Sequence, residues 1–172
     1  MKYFKSDPQI KVALLLSNNS DAGALIRARN FHVPSKVFDK SQFRESGEVL
    51  KWLKEADVTH IVLAGFLWLV PENILHAFPR NIINIHPSLL PRFGGKGMYG
   101  SKVHEAVIAA GLKETGITIH EVNECFDEGK ILFQTSCSVD KTDSAEMIAQ
   151  KVHALEHANY PKVIENWILK RG

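Results

Sequence analysis

Cysteine and long apolar runs are both scarce in this sequence. The two cysteines, Cys125 and Cys137, do not form a metal-binding or redox spacing, and so few of them fit a reducing compartment. The longest apolar runs are Val12–Leu16, Ile61–Gly65 and Phe66–Val70, and each is too short to span a bilayer. The N-terminus has no secretory pattern. The sequence therefore predicts a cytoplasmic protein with no metal site and no membrane partner.

The chain also lacks an excess of charge of either sign. Its 21 basic and 19 acidic residues give a formal net charge of +2, which gives no reason to expect nucleic acid as a partner. Hydrophobic residues make up 45% of the 172 positions, enough for a real core. We expect a single domain over residues 1–172.

Strand-like and helix-like segments alternate along the chain, and two strand-like segments stand together near its end. The pattern predicts an α/β fold with a mostly parallel, doubly wound sheet, an antiparallel C-terminal strand pair and a long C-terminal helix capped by Ser144. The predicted strands are 10–17, 33–38, 58–64, 81–85, 116–122 and 131–139; the predicted helices are 22–30, 41–56, 71–78, 102–110 and 145–168, the last with a possible break at Pro161. The continuous apolar run of the first strand predicts that it is buried on both faces.

A glycine-rich phosphate loop is absent after the first predicted strand. Nucleotide-binding α/β domains usually open with a strand, a glycine-rich turn and a helix whose amides hold phosphate. Here strand 10–17 is followed by Asn-Asn-Ser-Asp at 18–21. We therefore expect the chain to lack the first β-α unit of such a fold.

The segment from Asn81 to Gly100 carries the clearest candidates for chemistry. Asn84 and His86 are two residues apart in a predicted strand, so their side chains point to the same side. Pro87 closes that strand because proline cannot donate to a ladder. Ligands of open α/β sheets bind beyond the carboxyl ends of the strands, so the pattern places an amide and an imidazole at such an end.

Asp127 is the third candidate, in the polar loop between the last two predicted strands. If those strands lie beside strand 81–85, the loop reaches the same edge as His86, where a carboxylate would orient the imidazole and favour its charged form. An amide donor, an acid/base and an orienting carboxylate suit acyl transfer. Ser88 lies outside any nucleophile elbow, so the attacking group would belong to a substrate. The residues alone leave open a capping amide and a structural histidine, and they leave His120 as either structural or part of the site.

Several motifs resemble those of the folate-dependent formyltransferases. The run NIHPSLLP at 84–91 resembles the family signature, and DEGKIL at 127–132 resembles its aspartate-bearing loop. AGF at 64–66 resembles the motif before the folate pocket, and EHANYP at 156–161 resembles the helix motif of members that formylate glycinamide ribonucleotide. The resemblance extends from about residue 10 to residue 168, nearly the whole chain.

The resemblance implies a Rossmann-like fold and an activity. The formyl group of 10-formyltetrahydrofolate would pass to the amino group of glycinamide ribonucleotide in purine synthesis. Asn84 and His86 would stabilise the tetrahedral oxyanion, with His86 as general acid, and Asp127 would keep the imidazole charged and relay protons through water. The implied partners are these small molecules and a second copy of the chain in a homodimer.

The resemblance also implies two sets of binding residues. The folate set comprises Arg44, Phe66, Leu67, Trp68, Leu69, Val70, Asn84, Asn123, Glu124, Cys125, Phe126 and Asp127, and the acceptor set comprises Pro87, His153 and Glu156. Two alternatives remain open at this stage. The chain could act as another folate-dependent formyltransferase or a formyltetrahydrofolate hydrolase, or it could bind folate without activity because the phosphate loop is absent.

Overall fold

The computed structural model describes residues 1–170. The chain divides into two compact units, Met1–Thr59 and the part that begins at His60. The prediction of one domain over residues 1–172 stays a prediction.

The first unit contains two short parallel strands and three helices. Its elements are β1 (Leu15–Ser17), α1 (Gly23–Asn30), β2 (Ser35–Val37), α2 (Lys40–Arg44) and α3 (Glu48–Glu55). β1 and β2 form a two-stranded sheet of their own. The prediction of a long strand buried on both faces at 10–17 was wrong: three residues are strand, and residues 11–17 are half-buried or exposed. β1 has a ladder partner on one side only, which leaves its apolar residues partly uncovered.

The predicted single helix at 41–56 is two helices. Asp39 caps α2, because its side chain accepts a hydrogen bond from the Gln42 backbone N–H while the Gln42 side chain bonds back to the Asp39 backbone N–H. The chain then turns at Gly47, whose φ of +70° is left-handed, a conformation that glycine adopts without steric cost. Helical periodicity continues across this break, so the pattern alone did not reveal it.

The second unit contains a four-stranded sheet with three helices. Its elements are β3 (Ile61–Leu63), α4 (Glu72–Ala77), β4 (Ile82–His86), α5 (Ser101–Ala109), β5 (Glu114–Glu121), β6 (Ile131–Ser138) and α6 (Ala145–Leu169). The strand order is β3-β4-β5-β6, with β3 parallel to β4 and the other two pairings antiparallel. The predicted α/β class, the antiparallel pair β5–β6 and the long final helix are confirmed.

Branched aliphatic side chains from β4, β5 and α6 form the core of this unit. Ile82, Ile83, Ile117, Ile119 and Ile148 are all almost fully buried. Because Ile82 and Ile83 are consecutive and so point to opposite faces of the sheet, their burial shows that the sheet is covered on both faces at this point. Among residues 1–170, none of the helices combines the length and hydrophobicity needed to cross a membrane.

Helix α6 is 25 residues long and continues through Pro161, so the possible break at this proline does not occur. Its N-terminus is capped as predicted, with the Ser144 hydroxyl accepting from the Met147 backbone N–H. Proline inside a helix costs about 3 kcal/mol. Burial of Tyr160, Ile164 and Trp167 around the proline offsets this cost, since each large buried side chain contributes about 1.5–3 kcal/mol.

Gly116 in β5 provides a test of the packing between the strands. A Cβ atom there would overlap the Thr135 carbonyl oxygen and lie 2.9 Å from Leu89 Cδ2. We expect Gly116→Ala to lower the free energy of unfolding by about 3 kcal/mol, because backbone atoms on one side cannot move aside. Urea denaturation measures this. Gly23→Ala is the control, because its Cβ would meet one atom at 3.7 Å and should change stability by less than about 1 kcal/mol. Equal effects of the two substitutions would contradict the packing described here.

Candidate active site

The carboxyl end of β4 presents Asn84 and His86 on one side of the sheet. In the antiparallel ladder with β5, Asn84 is opposite His120 and His86 is opposite Thr118. Facing residues of neighbouring strands lie close enough to interact, and the Asn84 Nδ2 is 3.3 Å from the His120 Nε2. Two strands therefore bring an amide and two imidazoles to one place.

Asp127 lies between the two imidazoles. Its Oδ2 is 3.5 Å from the His86 Nδ1, and its Oδ1 is 3.5 Å from the His120 Nε2. The side chain is 11% exposed, and its φ of +59° is left-handed, a region where aspartate and asparagine are enriched among non-glycine residues. The predicted meeting of Asn84, His86 and Asp127 is thus found, with His120 linking Asn84 to the carboxylate.

Backbone groups of Phe93 and Gly95 form hydrogen bonds with the side chains of His86 and Asp127. The His86 Nε2 lies 2.7 Å from the Phe93 carbonyl oxygen, which can only accept, so this nitrogen carries a proton. The Gly95 backbone N–H donates to the Asp127 Oδ2 at 2.9 Å. A Cβ atom at Gly94 would meet Leu90 Cδ2 at 2.6 Å and the Asp127 Cβ at 3.3 Å, so glycine permits this close approach. In this conformation the segment must move before the His86 Nε2 can donate to a substrate.

Burial controls the protonation of His86. It lowers the pKa of the imidazole below its usual range and outweighs the attraction of the Asp127 carboxylate, which raises it. This direction is opposite to the expectation that Asp127 keeps His86 charged, because desolvation disfavours the cation more than one carboxylate at 3.5 Å favours it. His86 is mainly the neutral Nε2–H tautomer at neutral pH.

Asp127 remains ionised at neutral pH. Burial raises the pKa of its carboxyl group, but the neighbouring His120 and His86 imidazoles and the Gly95 backbone N–H together bring it below its usual value. Two of these three partners do not require a charged His86. The site thus pairs an anionic carboxylate with a neutral imidazole that can take up a second proton at Nδ1.

Sequence reasoning left His120 between a structural and a functional role, and the structure places it within the cluster. Its Nδ1 lies 2.8 Å from the Glu121 carbonyl oxygen, so Nδ1 donates and Nε2 is the nitrogen that faces Asn84 and Asp127. The signal was present in the chain: Thr118 and His120 are spaced as Asn84 and His86 are. That spacing identifies facing pairs only once the register of β4 and β5 is known.

A buried polar network holds the loop that follows β4. The Thr118 hydroxyl donates to the Ser88 carbonyl at 2.6 Å and accepts from the Leu90 N–H at 3.0 Å. The Gln134 amide donates to both the Leu90 carbonyl and the Thr118 hydroxyl, and the Ser88 hydroxyl donates to the Arg92 carbonyl at 2.7 Å. This network fixes the path of the chain toward Phe93. Sequence analysis missed it because most of its acceptors are backbone atoms.

The segment predicted to hold folate follows β3. Leu63 pairs with Asn84 in the parallel ladder, so residues 66–70 leave the sheet at the edge where the catalytic candidates lie. The rings of Phe66 and Trp68 are 6.1 Å apart at an angle of 61°, Leu67 is 50% exposed and Val70 is buried. Leu69 is half-buried. The loop thus presents aromatic and apolar side chains at the sheet edge to which Asn84 belongs.

The remaining folate candidates are in two places. Asn123, Glu124, Cys125 and Phe126 precede Asp127 in the β5–β6 loop, where the Asn123 side chain accepts from the Cys125 backbone N–H at 3.1 Å. Arg44 is an exposed residue at the end of α2, in the first unit, and its role toward folate stays a prediction.

The acceptor candidates lie on α6 and just after β4. His153 and Glu156 are one helical turn apart, His153 exposed and Glu156 half-buried. Burial raises the pKa of Glu156, with His153 and His157 acting in the opposite direction. One turn further on, the Tyr160 hydroxyl donates to the Leu63 carbonyl at 2.7 Å, which ties this face of the helix to the end of β3. Pro87 directly follows His86 at the end of β4.

Among residues 1–170, no group of three or more His, Cys, Asp or Glu side chains is placed so that it could hold a metal ion.

Comparison with known proteins identifies the family of the chain. The sequence profile of the family described as Formyl transferase matches residues 1–164. The chloroplastic phosphoribosylglycinamide formyltransferase of Vigna unguiculata is 44% identical over 158 residues, which cover 90% of this chain and 51% of that protein. The phosphoribosylglycinamide formyltransferase of Bacillus subtilis is 38% identical over 157 residues, 89% of this chain and 78% of that protein.

Solved structures of phosphoribosylglycinamide formyltransferases are also similar to this chain. The phosphoribosylglycinamide formyltransferase of Anaplasma phagocytophilum superposes with a TM-score of 0.85 at 34% identity, covering 95% of this chain and 76% of that one. The chain therefore belongs to the formyl transferase family. It spans about half the length of its plant relatives, 51% and 54%.

The position of Asp127 predicts the titration of His86. The pKa of His86 should lie below 6.5. The Asp127→Asn substitution should lower this pKa further, because it removes the carboxylate that favours the charged imidazole. NMR titration of the His86 ring measures both values. Asp57→Asn is the control, since Asp57 is exposed and has a φ of +50°; it should leave the pKa of His86 unchanged.

The same shift determines the pH dependence of stability. The unfolded chain binds a proton at His86 more readily than the folded one, so the stability gained from a neutral His86 is complete above about pH 6.5. It is lost as the pH falls through the folded-state pKa. A His86 pKa above 6.5 would contradict the role of burial, and a rise of this pKa in the Asp127→Asn variant would contradict the role of the carboxylate.

Proposed function

We propose that this protein transfers the formyl group of 10-formyltetrahydrofolate to the amino group of glycinamide ribonucleotide, in purine biosynthesis. The observation that carries the proposal is the Asp127 carboxylate, 3.5 Å from both His86 and His120, with Asn84 beside His120. Hydrogen-bond donors next to an ionised carboxylate can stabilise an oxyanion and move protons within one small volume.

In the proposed mechanism the acceptor amine attacks the formyl carbon. The C–N bond forms as the carbonyl π electrons move to oxygen, and the Asn84 amide and the His86 Nε2–H donate to the resulting oxyanion. The proton lost by the attacking nitrogen passes to Asp127, directly or through water, and then to the folate nitrogen. The oxyanion re-forms the carbonyl as the bond between the formyl carbon and that nitrogen breaks, and the folate leaves. His86 must first exchange the Phe93 carbonyl for the substrate oxygen.

A neutral His86 suits this role. Its Nε2–H donates without needing a net charge, and a second proton at Nδ1 would lie 3.5 Å from the Asp127 carboxylate. As negative charge develops on the substrate oxygen, the imidazole can gain positive charge next to that carboxylate. The donor thus becomes stronger in the transition state than in the ground state, which is the condition for catalysis.

The two loops at this edge fit the donor. A pterin is a flat ring with polar edges, and aromatic side chains with neighbouring backbone groups bind such rings by stacking and hydrogen bonding. Residues 66–70 supply Phe66 and Trp68, while residues 123–127 supply the polar loop that ends at the catalytic carboxylate. On the acceptor side, Glu156 would accept hydrogen bonds from the ribose hydroxyls, with His153 one turn earlier and Pro87 beside the reacting groups.

The homodimer and the cytoplasmic location stay predictions. Gel filtration with light scattering would measure the first.

Substitution of His86 tests the mechanism. His86→Ala should lower formyl transfer by about 10²–10³-fold, which is the typical cost of removing one hydrogen-bond donor to an oxyanion. Folate affinity should stay within about tenfold, equal to about 1.4 kcal/mol. The transfer assay uses both substrates, and isothermal titration gives the affinity.

His32→Asn is the matched control, because His32 is exposed, lies in the first unit and has a φ of +54°, which asparagine tolerates. It should leave transfer unchanged. Loss of folate affinity with normal turnover in His86→Ala would contradict the assignment.

The same assay separates the alternatives. Release of formate without an acceptor product identifies a formyltetrahydrofolate hydrolase, and folate binding with no response to glycinamide ribonucleotide identifies an inactive folate-binding protein. Either outcome would overturn the proposed function.

A further inference from the structure

The last strand of the four-stranded sheet has a free edge. β6 pairs with β5 on one side, and no other strand of residues 1–170 pairs with it. The Val139 backbone N–H donates to the Lys113 carbonyl, so the odd-numbered residues from 133 onward direct their backbone groups toward β5. Because these directions alternate along a strand, the backbone groups of Gln134, Ser136 and Ser138 point away from β5. These residues define the free edge, and all of them are exposed.

β6 is longer than the other edge strands of the described residues. It has 8 residues, whereas β1, β2 and β3 have 3 each. Native proteins protect long edges with charges, proline, bulges or a covering side chain. The sequence ILFQTSCS of β6 contains neither a charge nor proline. A register irregularity lies at its start, and the Lys151 Nζ reaches the Ser138 carbonyl at its end. The centre of the edge, at Ser136, lacks such protection.

The free edge is complementary to a second copy of itself. When two identical strands pair antiparallel about a twofold axis, each residue faces a residue of the same strand in the other copy. With the two Ser136 residues facing each other, Gln134 faces Ser138 of the second copy. Each such pair exchanges both N–H···O bonds, so all outward-directed residues of the free edge are paired. Any other register leaves at least one of them without a facing member of the edge.

The side chains of β6 fit the same register. Phe133 then faces Val139 of the second copy, and Thr135 faces Cys137. All of these side chains are half-buried within one copy, and Ile131 at the start of the strand is 44% exposed. Facing apolar, aromatic and β-branched side chains stabilise a strand pair. Self-pairing therefore covers surface that one copy leaves partly uncovered.

The charges beside β6 are compatible with antiparallel self-pairing. Each flank of the strand carries one exposed acid and one exposed base: Glu128 with Lys130 before it, and Asp140 with Lys141 after it. Asp140 also contacts Lys151 at 3.2 Å but is still 69% exposed. Antiparallel pairing brings the first flank of one copy to the second flank of the other, so each base gains an acidic neighbour. The strand itself places no charges opposite each other.

We propose that the free edge of β6 binds a second copy of this chain, with the two strands antiparallel about a twofold axis between the Ser136 residues. The two four-stranded sheets then form one continuous sheet. A twofold contact closes on itself, and β3 at the far end of each sheet has only 3 residues, so the sheet does not extend further. The proposal stands independently of formyl transfer, because the free edge contains no catalytic candidate.

Single cysteines test the position of the axis, in a protein whose native cysteines are replaced by Cys125→Ser and Cys137→Ser. Ser136→Cys should give a disulfide-linked dimer on mild oxidation. Hydrogen-bonded facing residues have Cα atoms about 5.5 Å apart, and disulfides span about 4.4–6.8 Å. Denaturing electrophoresis without reductant measures the linked fraction.

Ser138→Cys is the matched control for cross-linking. It changes another exposed serine of the same free edge, but the two copies of residue 138 would lie about 14 Å apart along the strands. This variant should stay unlinked under the same oxidation. Cross-linking of Ser138→Cys to the same extent as Ser136→Cys, or none in Ser136→Cys, would overturn the proposed register and with it the proposal.

Analytical ultracentrifugation tests the association itself. The unchanged protein should dimerise reversibly with a dissociation constant below about 100 µM. Ser136→Lys should weaken the dimer at least about tenfold, because like charges directly opposite each other repel. Within one copy the new lysine lies beside Glu114, whose carboxylate accepts the Ser136 hydroxyl at 2.8 Å. The monomer should therefore stay folded, which urea denaturation at low protein concentration checks.

Ser41→Lys is the matched control for the added charge. Ser41 is also an exposed serine whose hydroxyl donates to a glutamate, Glu45, at 3.0 Å, and it lies on α2 in the first unit. Its substitution should leave the dissociation constant unchanged. A protein that remains monomeric at all concentrations, or equal effects of the two lysine substitutions, would show that the free edge of β6 is not an interface.

Discussion

The site depends on one carboxylate held between two imidazoles. Asp127 lies 3.5 Å from a ring nitrogen of His86 and of His120, and each contact requires a different part of the sheet. His86 ends β4, His120 lies on β5, and Asp127 belongs to the loop that joins β5 to β6. An error of one residue in the register of β4 and β5 would turn His120 to the other face of the sheet. The four-stranded sheet thus provides the alignment that a loop alone could not.

Burial and charge act against each other within this cluster. Desolvation keeps His86 mainly neutral, while three hydrogen-bonding or charged neighbours keep Asp127 ionised. The resting protein satisfies these groups with its own backbone, through the Phe93 carbonyl and the Gly95 N–H. Such internal partners avoid the cost of leaving buried polar groups without hydrogen bonds. A substrate that enters the site must replace them, so the arrangement couples binding to a local rearrangement of the loop.

The sequence predicted the parts of the site that follow from local pattern. The two-residue spacing of Asn84 and His86, with Pro87 after them, placed both side chains at a strand end, and the β5–β6 pair placed Asp127 at the same edge. Three features did not follow from pattern: the role of His120 depends on strand register, the contact of Phe93 uses a backbone atom, and the neutral state of His86 depends on burial. In the first unit, helical periodicity concealed the break at Gly47, where one left-handed residue separates two helices.

The hydrogen bond from Tyr160 to Leu63 has a consequence for the C-terminal helix. It fixes the rotation of α6 about its own axis at the end of β3, and Glu156 is four residues earlier on the same face. Adding or removing one residue between these two positions would rotate the acid by about 100°, away from the edge where the acceptor is proposed to bind. The spacing of four residues is therefore a geometric requirement of the proposed acceptor site, and the tyrosine serves as the reference point from which the helix is aligned.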